Sequence, residues 1–216
     1  EKNLNPLTCN KDSYVSFLYN NNDDLRISNI NFIEKVTREE NPLLGLSVPE
    51  YIEKKDKNVY EFKQGSWDIN APIKIKGKLI INKNTNLYFG ENAYLIVNGS
   101  LVINGDELNP NLITSQDSNK FWKGIYVFNE NKKLKSVINN VIINNLEAMD
   151  EGLLSLTGAI NFYNSNLKIK NAFINNSIAE DALNIIKSEV LINNLQISEA
   201  ISDGLDCDFC EGRIES

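Results

Sequence analysis

A 22-residue step constrains this chain more than any other feature: Ile75, Gly77, Leu79 and Ile81 return as Val97, Gly99, Leu101 and Ile103. Near the C-terminus Ile160, Leu183 and Leu205 follow one another at intervals of 23 and 22, and Ile169, Ile192 and Ile214 keep the same two intervals. Repetition at this period belongs to a solenoid, in which each coil contacts only its neighbours. Within a copy the apolar residues alternate (Ile73, Ile75; Leu95, Val97; Leu101, Ile103), the period of a strand with one face turned inward. Each coil therefore reads as strand and turn.

Three solenoids have periods near this one. A leucine-rich repeat requires asparagine after its LxxLxL core, yet Leu195 and Ile197 lead to Ala200 there, and Val141 and Ile143 lead to Leu146. A left-handed hexapeptide helix needs six-residue apolar spacing, which is absent. The expected fold is all-β, a right-handed parallel β-helix of 22–23 residues per coil over 66–216, with strands of three to six residues. Leu79 should stack near Leu101, and Leu183 between Ile160 and Leu205.

Asn140, Asn171 and Asn194 each follow an inward Ile at equivalent positions. Asparagine tolerates the left-handed backbone of a sharp corner, and its amide can bond the asparagine of the next coil. The interval from Asn140 to Asn171 is 31 rather than the 23 from Asn171 to Asn194, which implies an eight-residue outward insertion, placed at 147–155. Loops on such scaffolds carry binding contacts.

Residues 1–65 lack the step and read as an N-terminal extension: either a cap on the first coil or the tail of a preceding domain. Within them Asn20–Asp24 reads as a loop and Ile33–Glu40 as a short helix. Arg213–Ser216 ends inside what reads as another strand, so further coils of the same polypeptide are expected beyond it. Trp67 and Trp122, at coil starts, are expected to pack in core or rim.

The chain has 216 residues, 42% hydrophobic, and no histidine, which removes Ser-His-Asp, Cys-His and imidazole-metal chemistry from these residues. A formal charge of −7 disfavours nucleic-acid phosphates and anionic lipid as partners; Lys132, Lys133 and Lys135 read as a solvated turn. No apolar run approaches the ~18 residues of a membrane span. Of three cysteines, Cys207 occupies the inward column of Phe162 and Ile185 and is expected buried and reduced, neither bridged to Cys210 nor holding metal with Cys210 and Cys9.

Alternation turns Asp206 and Asp208 outward, in line with Asn161 and Asn184 of the preceding coils, with Asp181 and Asp203 at the corner before them. Such an exterior strip suits a hard cation or sugar hydroxyls; the plainer reading is turn caps and solvated charges. The candidate carbohydrate contacts are Asn161, Asn184, Asp206 and Asp208, and the candidate Ca²⁺ ligands are Asp203, Asp206 and Asp208.

The order GSWDINAPIKIKGKLII, WKGIYVF, LTGAINFYNSNLKIKNAFINN, EDALNIIKSEVLINN and SDGLDCDFCEGRI, over about 58–216, resembles the β-helix domains of large exported bacterial proteins. These are pectin-lyase-like in fold, and some lie beside spore-coat-kinase-like domains. The resemblance implies a secreted or cell-envelope setting and no particular reaction. Ser202–Asp206 resembles the first motif of polygalacturonase-type hydrolases, with Ser for Thr, and the remaining motifs have no counterpart. Lyases of this fold pair a Ca²⁺-binding acidic cluster with a basic residue; Arg213, then Lys187, are the candidates here. The leading reading is a non-catalytic module presenting a long face to a polysaccharide or cell-surface partner. The alternative is a Ca²⁺-dependent lyase or acid-pair hydrolase using Asp203, Asp206 and Arg213, with its other site residues beyond Ser216.

Overall fold

The computed structural model describes residues 16–21, 24–29, 48–129, 134–151 and 154–215. The chain divides into two compact units, 1–44 and 45–216. In the first, Ser16–Asn21 pairs antiparallel with Asp24–Asn29, so Asn20, Asn21 and Asp24 lie in paired strands rather than in the expected loop. The helix expected over 33–40, Cys9, Lys132 and Lys133 fall outside the described residues.

The second unit is a stack of parallel coils, without helix among the described residues. Three parallel ladders carry it. Face A runs through Ile73, Leu95, Ile125, Ile160, Leu183 and Leu205 in register. Face B runs through Ile81, Ile103, Ile138, Ile169, Ile192 and Ile214, with Leu79 paired to Leu101 alongside. Face C runs through Trp67, Leu87, Ile113, Ile143, Ile174 and Ile197. The predicted stacking of Leu79 on Leu101, and of Leu183 between Ile160 and Leu205, is thus present.

Burial follows the alternation. Leu79, Leu101 and Leu183 are at most 1% exposed, because each inward side chain is covered by its counterparts one coil away. Trp122 is fully buried and stacks on Phe89 at 4.2 Å, while half-buried Trp67 packs on Tyr51 and donates from Nε1 to the Lys63 carbonyl at 2.7 Å. Ahead of the first full coil, Ile52–Asp56 pairs antiparallel with Val59–Phe62, which joins face B.

Two expectations change. Strands reach 10–12 residues, as in Ile73–Asn82 and Glu189–Ala200, because pairing continues around the corner from one face to the next. The step is also not uniform: Leu87 pairs with Ile113 and Ile125 with Ile160, intervals of 26 and 35, so excursions leave the coil at several corners.

Those corners explain the asparagine content. Asn140, Asn171 and Asn194 have φ of 50°, 52° and 56° between faces B and C. Asn145, Asn176 and Glu199 (60°, 57°, 53°) turn out of face C, and Asn164, Lys187 and Phe209 (52°, 53°, 54°) turn from face A to face B. Asparagine occupies most of these positions because its short polar side chain bears the left-handed backbone at low cost.

Candidate functional site

The predicted row on face A exists as a register but not as an open strip. Asn161, Asn184 and Asp206 are aligned on successive coils. Asn161 and Asn184 alternate with the inward Ile160, Phe162, Leu183 and Ile185 as expected, but they are only 5% and 4% exposed, so the expectation that they are open to solvent is corrected. The cause is the predicted insertion, which bridges Leu146 to Gly158 where the next coil passes from Ser177 to Asp181 through 178–180. From it, Met149, Leu156 and Thr157 lie against the outer surface of face A. Met149 packs with Tyr94 and Tyr126, joined by Ile96, Phe128 and Leu156, forming a small apolar cluster outside the coil interior.

Beneath this segment the polar groups bond locally. The Met149 backbone N–H donates to the Tyr126 hydroxyl at 2.6 Å. Asn184 Nδ2 donates to Asp181 Oδ2 at 2.9 Å and to Thr157 Oγ1 at 3.3 Å, and Asn161 Nδ2 donates to the Gly158 carbonyl. Asp181 is 4% exposed, and Asn184 Oδ1 is buried without a hydrogen-bond donor. Burial pushes the Tyr126 phenol well above the usual tyrosine range, and the Glu147 charge adds to it against the opposing Met149 hydrogen bond.

The acidic residues of the last coil lie apart from this packing: Asp203 and Asp208 are exposed and Asp206 is half-buried. Among the described residues no group of three or more His, Cys, Asp or Glu side chains is disposed to hold a metal ion. Arg213 stands on a different ladder, face B, aligned with Leu191, and its Nε pairs with Glu215 Oε1 at 2.6 Å. Asp206 and Arg213 thus stand on different ladders. Lys187 occupies a corner, its Nζ 5.4 Å from the Tyr163 ring centroid and donating to the Tyr163 hydroxyl at 3.2 Å.

The thiol expectation is overturned. Cys207 and Cys210 form a disulfide, and Cys207 is exposed although it aligns with buried Ile185. Its interior neighbours lie on one side only, since no described strand stacks on Asp203–Asp208 from the other.

Among the described residues, one open concave surface runs along the corner between faces B and C, and a second, of about 450 Å³, runs past Lys168, Glu189 and Leu191 on face B. Asn194 Nδ2 donates to Asn171 Oδ1 at 2.9 Å, Asn171 Nδ2 to Asn140 Oδ1 at 3.0 Å, and Asn140 Nδ2 to the Gly105 carbonyl at 2.9 Å. Beside this amide ladder runs the outer row of face C, Ile142, Phe173 and Gln196, in register on successive coils. The excursion carrying Glu107 and Pro110 walls one end, giving a groove of about 340 Å³. Ile142 and Phe173 are half-buried and Gln196 is exposed. Sequence reasoning found the asparagine column but not its companion row, although the signal was there: each companion sits two residues after its asparagine. A second ladder, Asn176 Nδ2 to Asn145 Oδ1 at 2.8 Å and Asn145 Nδ2 to Ser115 Oγ at 2.9 Å, was also missed.

No helix among the described residues is long and apolar enough to cross a membrane. No family model, curated protein or solved structure matches the chain.

Proposed function

We propose that the chain is a right-handed parallel β-helix module of an exported or cell-surface protein, and that it binds a polysaccharide along the asparagine-lined corner between faces B and C. The observation that carries this reading is the alignment, on three successive coils, of an amide (Asn140, Asn171, Asn194) with an outward side chain (Ile142, Phe173, Gln196) beside the wall at Glu107 and Pro110. Coil spacing repeats this pair every ~4.8 Å, so one groove offers a line of amides and apolar surface to an extended chain of sugars. Binding sites commonly combine apolar surface with a few placed polar groups.

The ligand class follows from charge. Among the described residues Glu107 is the one ionisable side chain lining the groove, and the chain carries −7 overall, so neutral hydroxyl-rich glycans suit it better than polyuronates. The Cys207–Cys210 disulfide supports an oxidising, extracytoplasmic setting. Right-handed winding is the sense that parallel crossover connections favour.

Calorimetric titration with neutral and uronate oligosaccharides tests the reading. Neutral chains should bind, and a Phe173→Ala, Gln196→Ala double variant should weaken them at least ~10-fold without a change in melting comparable to that of a core substitution. Binding unaltered by the double variant, or no binding of any neutral glycan, would sink it.

A further inference from the structure

Cys207 and Cys210 occupy columns with different histories. Cys207 continues the inward column of Ile185, and Cys210 lies in the corner column of Ser165 and Ser188. In the preceding coil that corner is closed by serine: Ser188 Oγ donates to the Ile186 carbonyl at 2.9 Å and accepts from the Ser165 backbone N–H at 3.0 Å. In the last coil the position equivalent to Ser188 is Cys210. Its Sγ lies 3.2 Å from the Ile185 carbonyl oxygen and 3.7 Å from that of Asp208, the counterpart of Ile186. The covalent bond to Cys207 spans the same corner. It encloses Phe209, which holds a left-handed φ of 54° where the coils below have Asn164 and Lys187, and which is 83% exposed.

A bulky aromatic residue is poorly suited to that backbone, and its exposed ring gains no packing to offset the strain. The disulfide thus adds a covalent tie across a corner that the coil below holds through the Lys187 N–H to the Asp208 carbonyl at 2.8 Å and the Glu211 N–H to the Ser188 carbonyl at 3.1 Å. It joins Asp203–Asp208, on face A, to Glu211–Glu215, on face B. We propose that Cys207–Cys210 is a reducible staple, opened by a dithiol reductant, that sets whether this corner and the two strands it joins are held in register.

The chemistry is thiol–disulfide exchange. A thiolate of the dithiol attacks the sulfur of exposed Cys207. The S–S bond breaks, and Cys210 leaves as a thiolate that takes a proton. The second thiol of the reductant then displaces Cys207, which leaves as a thiol, and the reductant departs as its own disulfide. Reduced Cys210 keeps the place of Ser188 and can donate S–H to a corner carbonyl, a weaker tie than the serine hydroxyl makes. Reduction therefore loosens the corner without unfolding the coils below.

The test uses the full chain carrying Cys9→Ser, with hydrogen exchange followed by peptide mass spectrometry in the oxidised state, after treatment with dithiothreitol, and after re-oxidation. Reduction should raise amide exchange within 203–215 at least ~10-fold and leave 160–186 unchanged, with reversal on re-oxidation. A Cys207→Ala, Cys210→Ala variant, which cannot form a serine-type closure at this corner, should exchange within 203–215 at least as fast as the reduced protein and ignore the reductant. Free thiols at both positions in air-oxidised protein, a bridge that dithiothreitol cannot open in the folded chain, or exchange that does not respond to reduction would each overturn the proposal.

Discussion

Asn171 donates from Nδ2 to Oδ1 of Asn140 at 3.0 Å, making rungs of one ladder from residues 31 apart in sequence. Asn171 also accepts from Asn194 at 2.9 Å and holds φ at 52°. Asn171→Ala should therefore lose two amide bonds and strain the corner, costing about 2–3 kcal/mol. Asn171→Gly restores the backbone freedom and should recover part of that loss in urea denaturation. Equal cost for both variants would contradict the corner account.

Leu183 is 1% exposed between Ile160 and Leu205. Leu183→Asp places a carboxylate among aliphatic side chains with no cation at hand, and should destabilise unit 45–216 by more than about 4 kcal/mol. Melting within a few degrees of the parent protein would show that this column is not interior.

Gly99 has φ of 154° and stacks on Gly77 of the preceding coil, so an added methyl group would overlap the Gly77 carbonyl oxygen. Gly99→Ala should lower the melting temperature sharply, whereas alanine at Asn98, exposed and in the same strand, should change it little. Comparable small shifts would mean that close backbone approach does not set this corner.

The buried Tyr126 phenol has its ionisation raised above that of a tyrosine in the unfolded chain. Its contribution to stability is full below the unfolded value near pH 10 and is lost as pH rises from there toward the folded value. Alkaline denaturation should thus begin above about pH 10 and be less steep in Tyr126→Phe. At neutral pH that variant should be slightly less stable, because the Met149 N–H loses its acceptor. An alkaline profile identical in the two proteins would refute the assignment.

Much of the architecture was legible because alternation and coil stacking are periodic. Ile160, Leu183 and Leu205 could be aligned by counting, and so could the asparagine corner at 140, 171 and 194. The eight-residue excess before Asn171 located the excursion at 147–157 to within two residues. Where that excursion lands is not periodic. Nothing in the spacing told that Met149 and Leu156 would pack with Tyr126, or that Thr157 would reach Asn184 on a strip where Asn161 and Asn184 are buried, so the expected open strip was misread. The strand lengths were misjudged for a related reason: a left-handed residue turns the chain while the ladder continues through it.

By itself the sequence determined the coil period, the residues of each coil that share the interior, and the asparagines that turn the chain, because each depends on local backbone preference and on contact with equivalent residues one coil away. Only the tertiary structure decided which outer surface is covered, that Arg213 and Asp206 stand on different ladders, and that Cys207 meets Cys210 across a corner. Those outcomes depend on non-repeating segments folding back on the stack and on side chains from different faces approaching one another, and no repeat spacing encodes either.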